Sequence, residues 1–254
     1  MIAESFSFWA LAVLASFFVG VSKGGLPLIG ILAVPILSLV ISPVVAAGLL
    51  LPIYIVSDIY GLWIYRRDYD ARNIQILVPA AAIGVAVGWA TARITNEDVV
   101  KFLVGVIGVA YCGYAIWSVY RRPEAKSADV PRGVFWGVIS GFTSFVSHAG
   151  GPPYQMYVLP QRLEKMVYAG TTTIIFAIVN LMKLPPYWQL GQVNAGSLEK
   201  CLWLGPVSLF GAYFGYRMTR LIPHGLFFRT VEVALFLVAV LLLKESVPKI
   251  WSMI

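Results

Sequence analysis

Charge is scarce in these 254 residues: 12% are Asp, Glu, Lys or Arg, about half the ~25% usual in a soluble domain. Histidine and cysteine number two each. Apolar residues make up 59% of the chain, and the mean hydropathy is +0.80. A soluble fold of this length could not hide so much apolar surface, because more than half of its accessible area would still face water. This excludes a soluble enzyme, a disordered chain and a nucleic-acid-binding domain. Cys112 and Cys201 stand alone in apolar stretches, with no CxxC pair and no nearby His. Neither a metal site nor a disulfide framework follows, and both read as packing residues. No cofactor is implied. An intramembrane enzyme would need a metal cluster or a nucleophile–base pair, and His148 and His224 lie 76 positions apart.

What the chain does have is long apolar runs. A spanning helix needs about 20 mostly apolar residues. Segments 44–65, 73–94, 100–120, 198–220 and 225–247 satisfy that test. A sixth, 167–184, is shorter and is expected to end at Lys183, before Pro185-Pro186. Before Lys23 the one charged side chain is Glu4. A secretory signal starts with positive charge, so the first apolar segment is expected to stay as a membrane helix, with its leading end outside the cytoplasm. The flanking aromatics Trp9, Trp63, Tyr65, Trp188 and Trp251 read as interfacial anchors.

Two regions are interrupted. Residues 7–42 are broken by Ser22-Lys23-Gly24-Gly25-Leu26-Pro27, and residues 132–161 by Ser147-His148-Ala149-Gly150-Gly151-Pro152-Pro153. At membrane depth, broken backbone survives only when buried in protein or lining a watery cavity. The breaks are related. Gly24-Gly25 and Gly150-Gly151 lie 126 residues apart. Ala47-Gly48 matches Ala169-Gly170 at a shift of 122, which sets Asp58 opposite Asn180. Pro79, Gly84, Gly88 and Arg93 match Pro206, Gly211, Gly215 and Arg220 at a constant shift of 127. The expected architecture is therefore an all-α polytopic membrane protein of two homologous halves, 1–122 and 132–254, joined by a cytoplasmic linker, 123–131. Gly84, Gly88, Gly211 and Gly215 have the spacing of glycines that let helices pack closely. The two breaks, with Pro and an ionisable neighbour, instead mark a transporter binding site on interrupted or re-entrant helices.

The net charge of +7 sits in short clusters. Arg66, Arg67 and Arg72 form one, Arg121, Arg122, Lys126 and Arg132 a second, and Arg217, Arg220 and Arg229 a third. Placing all three in the cytoplasm follows the positive-inside tendency and makes the repeat inverted. A parallel repeat scores nearly as well, because Lys200, Lys244 and Lys249 would then lie inside.

The start of a helix exposes free N–H groups and partial positive charge, which suits an anion. Gly24-Gly25-Leu26-Pro27 and Gly150-Gly151-Pro152-Pro153 are expected to present such starts to a ligand. Lys23 adds a full charge and His148 one that switches near neutral pH. Ser22 and Ser147 add hydroxyl donors. A small oxyanion fits this set. Asp58, inside its helix, either neutralises Lys23 or carries a proton.

These residues resemble a family. Val-Gly-Val-Ser-Lys-Gly-Gly-Leu-Pro at 19–27 and Ala-Val-Pro at 33–35 are similar to the first signature of the TauE/SafE sulfite exporter family. Ser-Gly-Phe-Thr-Ser at 140–144, Gly-Gly-Pro-Pro at 150–153 and Tyr157-Val158-Leu159 resemble its second. Ala169-Gly170-Thr171 and Asn180 fit its later pattern, which adds Thr171 and Asn180 to the expected substrate contacts. The resemblance implies an inner-membrane transporter of sulfite or a small organosulfur anion, working by alternating access in the export direction. A proton- or cation-coupled carrier of another small organic acid is the alternative. The expected partners are the anion and the lipid bilayer, with a homodimer left open.

Overall fold

The computed structural model describes residues 5–121 and 124–251. Glu4 and Arg122, used above, lie outside them. The described residues form helices and turns, with no strand. The helices are α1 Phe6–Lys23, α2 Ala33–Leu37, α3 Pro43–Ile64, α4 Ala71–Ala90, α5 Glu97–Arg121, α6 Val130–Ser147, α7 Gly151–Val158, α8 Lys165–Gln189, α9 Ala195–Leu221 and α10 His224–Trp251. Short 3-10 turns, Pro27–Leu32 and Leu159–Gln161, flank α2 and α7. Five helices are long and apolar enough to cross a membrane: α1, α3, α4, α8 and α10.

All five clear expected segments are helices, of which α3, α4 and α10 are among the five long and apolar enough to cross, and both expected breaks fall between helices. The expected stop at Lys183 is wrong: α8 runs on through Pro185 and Pro186 to Gln189. The two prolines remove N–H donors to the carbonyls of Leu181 and Met182, a loss near a helix end that membrane helices tolerate. One more turn follows, in which Leu190 N–H donates to Pro186 O at 2.9 Å. Beyond the first break the expected helical run is a six-residue 3-10 turn and then five residues of α2.

By contact the chain divides into two compact units, Met1–Tyr69 with Ala169–Pro223, and Asp70–Tyr168 with His224–Ile254. Each unit draws on both sequence halves. In the first, α1 packs along α9 and α3 lies against both. The glycines decide that packing. A Cβ on Gly20 would sit 1.9 Å from Ser208 O, and one on Gly211 2.4 Å from Phe17 O. An apolar core joins Phe8, Ala12, Val34, Leu37, Leu49 and Leu204. The start of α1 therefore meets α2, and the start of α9 meets the start of α3.

In the second unit, α4 packs along α6 and α5 along α10. A Cβ on Gly84 would lie 2.1 Å from Val138 O, and one on Gly141 2.2 Å from Ala81 O. Asp129 caps α6 by accepting from Arg132 N–H at 3.0 Å. Tyr157, near the end of α7, donates to Asp129 O at 3.0 Å, and Lys126 N–H donates to Pro160 O at 3.0 Å. The chain thus runs out along α6, turns at the break, and returns along α7 to the start of α6.

Candidate functional site

In the first unit, α1 ends at Lys23 and delivers its ammonium to the middle of the helix packing. Lys23 Nζ lies 2.8 Å from Asp58 Oδ1, and their side chains are 6% and 4% exposed. Asn180 Nδ2 donates to Asp58 Oδ2 at 2.8 Å. Asp58 and Asn180 are the positions that the repeat sets opposite each other, and they meet directly. The Lys23 ammonium also sits 5.2 Å from the centre of the Tyr54 ring, a favourable cation–π distance. Tyr54 in turn donates to Gly30 O at 2.7 Å, fixing its ring to the 3-10 turn beyond the break. Thr173 donates to Lys23 O at 3.4 Å. Three of the expected site residues, Lys23, Asp58 and Asn180, are therefore brought together. Thr171 is fully buried on the same helix as Asn180.

Lys183 was missed. It lies one turn beyond Asn180 on α8 and is 0% exposed. It is close enough to Lys23 and Asp58 to feel both charges. The first unit thus buries two lysines and, among the described residues, one carboxylate. Sequence reading placed Lys183 at a helix end because of the prolines that follow. The usable signal was its position one turn after Asn180.

The glycines of the first break also set how closely the chain packs there. A Cβ on Gly24 would meet Tyr216 N at 2.4 Å and Ala212 O at 2.5 Å. Gly24 thus lets the end of α1 touch α9, as Gly20 does. Gly25 has φ +116°, which strongly favours glycine. Its Cβ would strike Tyr65 Oη at 2.5 Å and Thr219 Oγ1 at 2.7 Å. Tyr65 is fully buried and donates to Gly24 O at 2.7 Å, so it is no interfacial anchor but a clamp on the break. Trp63, Trp188 and Trp251 are exposed. Ser22 donates to Val19 O at 2.6 Å and Ser147 to Thr143 O at 3.3 Å. Their hydroxyl protons are committed to their own helices, because a helical Ser readily bonds back to a carbonyl three or four residues earlier.

In the second unit, α6 ends at Ser147 and His148 takes a left-handed conformation, φ 53°. That geometry is uncommon for a residue with a Cβ. His148 is 8% exposed. Ser140 donates to Gly150 O at 2.8 Å, holding the break against α6. Gly151, Pro152 and Pro153 form the first turn of α7. Two prolines lack N–H groups, so Gly150 and Gly151 are the backbone donors left at that end. Gln155 adds a donor that sequence reading missed. It is 0% exposed, accepts from Tyr168 Oη at 2.7 Å, and its Nε2 has no acceptor among the described residues. No group of three or more His, Cys, Asp or Glu side chains gathers among the described residues to hold a metal.

A family model described as Sulfite exporter TauE/SafE matches residues 10–242. Comparison with curated proteins finds no match, and comparison with solved structures finds none either.

Proposed function

The chain belongs to the TauE/SafE sulfite exporter family, and from that premise we propose that it carries sulfite or a small sulfonate outward across the inner membrane by alternating access. The observation that carries this reading is the buried Lys23–Asp58–Asn180 cluster beside the first break, with Lys183 one turn further along α8 as the proposed contact for the anion. Ionisable groups inside a membrane bundle mark substrate and ion pathways. Asp58 and Asn180 hold the Lys23 ammonium in place. In the second unit, taken by itself, His148, Gln155 Nε2 and the amides of Gly150 and Gly151 are proposed anion contacts. Ser22, Gly24, Gly25 and Ser147 shape the breaks, and Thr171 supports the α8 wall.

An inverted repeat fits this mechanism. Placing the clusters around Arg66–Arg72 and Arg217–Arg229 both in the cytoplasm makes α4 and its repeat counterpart α9 run in opposite senses. The inside-negative potential favours anion exit by about 2.3 kcal/mol per charge per 100 mV, so export needs no coupled ion.

Binding to the purified protein, measured for sulfite, sulfoacetate, taurine, sulfate and simple carboxylates, tests the reading. Sulfite or sulfonates should bind, and Lys183→Met should weaken that binding ten- to a hundredfold, from about 1.5–3 kcal/mol per charge-assisted contact. Binding of carboxylates alone would make the protein an organic-acid carrier instead.

A further inference from the structure

The cytoplasmic ends expected for α3 and α9 border an open cavity of about 470 Å³ in the first unit. Arg66, Arg217 and Arg220 line it together with Trp63, Tyr213 and Tyr216, and none of its lining residues is acidic. Each guanidinium lies over an aromatic ring. Arg66 is 5.4 Å from the Trp63 ring centre, Arg217 5.4 Å from Tyr213 and Arg220 5.7 Å from Tyr216. Arg217 Nε also donates to Tyr213 Oη at 3.0 Å, and Arg66 Nη1 to Trp63 O at 2.5 Å. Three guanidiniums in one pocket with no lining carboxylate give it a positive charge that suits an oxyanion, a group that a guanidinium can hold through two parallel bonds.

We propose that this cavity binds the phosphodiester headgroup of an acidic phospholipid. Its volume lies within the roughly 300–1,000 Å³ of small-molecule pockets and greatly exceeds what sulfite fills. On α9, within two turns before Arg217, Phe210, 62% exposed, and Phe214, 43% exposed, meet the Phe17 ring and leave apolar surface suited to an acyl chain. Trp63, 61% exposed, sits where aromatics gather at headgroup depth. Basic pockets between membrane helices on the cytoplasmic side suit anionic headgroups, which are abundant in that leaflet. The site is separate from the Lys23–Asp58–Asn180 cluster, so the proposal stands apart from the identity of the transported anion.

Native mass spectrometry of the detergent-purified protein, loaded with dioleoyl phosphatidylglycerol or dioleoyl phosphatidylcholine, tests it. The wild type should retain phosphatidylglycerol in preference to phosphatidylcholine. Arg217→Gln with Arg220→Gln should lower that retention about tenfold or more, and Arg132→Gln, away from the cavity, should leave it unchanged. A large excess of inorganic phosphate should not strip the lipid. Retention by the double variant equal to the wild type would overturn the proposal. So would full displacement by phosphate, which would indicate a free-anion site. If the double variant does not fold, the wild type alone decides: equal retention of the two lipids refutes an acidic-headgroup site.

Discussion

At the scale of single residues, the Lys23–Asp58 pair has the clearest energetic consequence. Removing one partner of a buried ion pair strands the other charge and costs about 3–5 kcal/mol, whereas replacing both with neutral groups is often close to neutral. Lys23→Met and Asp58→Asn should each lower the thermal unfolding temperature in detergent. Lys23→Met combined with Asp58→Asn should recover most of the loss. Additive losses would mean that the two side chains are not coupled, against the 2.8 Å contact between them. Lys23, Asp58 and Asn180 were legible in the sequence, because a repeat shift and an intramembrane charge are visible in a string of letters. Lys183 was not, because the double proline imitated a helix end. Tyr65 was misread because a Tyr at the end of an apolar run has the same sequence signature whether it faces the headgroups or, as here, turns inward to Gly24 O.

At the scale of helices, glycines set how closely the pairs approach. Gly20→Ala would push a methyl to 1.9 Å from Ser208 O, and α1 must move away from α9. Overpacking of this kind costs about 1–3 kcal/mol or more, so yield and unfolding temperature should both fall. Gly113→Ala meets nothing within 4 Å and should be neutral or stabilising by up to about 1 kcal/mol, through helix propensity. Equal effects of the two substitutions would contradict this packing. The small-residue spacing made Gly84, Gly88, Gly211 and Gly215 recognisable. The contact of Gly24 with α9 was not, since a motif cannot say which distant helix fills the space left by a missing Cβ. The cap of α6 adds a pH-dependent contribution. The hydrogen bond from Arg132 holds the Asp129 carboxyl below its ordinary value. A lowered folded value means stability that is present above the unfolded value, about 3.9, and lost as pH falls through the folded one. Asp129→Asn keeps the cap without the charge. The wild type should therefore unfold at a higher temperature than Asp129→Asn near pH 7, and the gap should close below about pH 4. A gap unchanged at low pH would sever it from the carboxylate.

At the scale of the whole molecule, the sequence carried the helical class, the segment positions and the two breaks, because hydropathy and Gly-Pro chemistry are local. It could not carry the pairing of α1 with α9 and α4 with α6, which depends on distant elements meeting. The proposed topology puts residues 66–72 and 121–131 on the cytoplasmic side and residues 91–96 and 190–194 outside. Single cysteines replacing Asp70, Lys126, Asn96 and Gln192, labelled from each side of the membrane, should divide two and two. Labelling of Asp70→Cys and Asn96→Cys from one side would end the topology. The account as a whole rests on a small oxyanion moving down its electrical gradient. Its most direct test is sulfite flux in proteoliposomes, with membrane potential and pH gradient set independently. Potential alone should drive sulfite flux, and Lys183→Met should suppress it. The account is contradicted if potential alone moves nothing while a proton gradient drives accumulation against it.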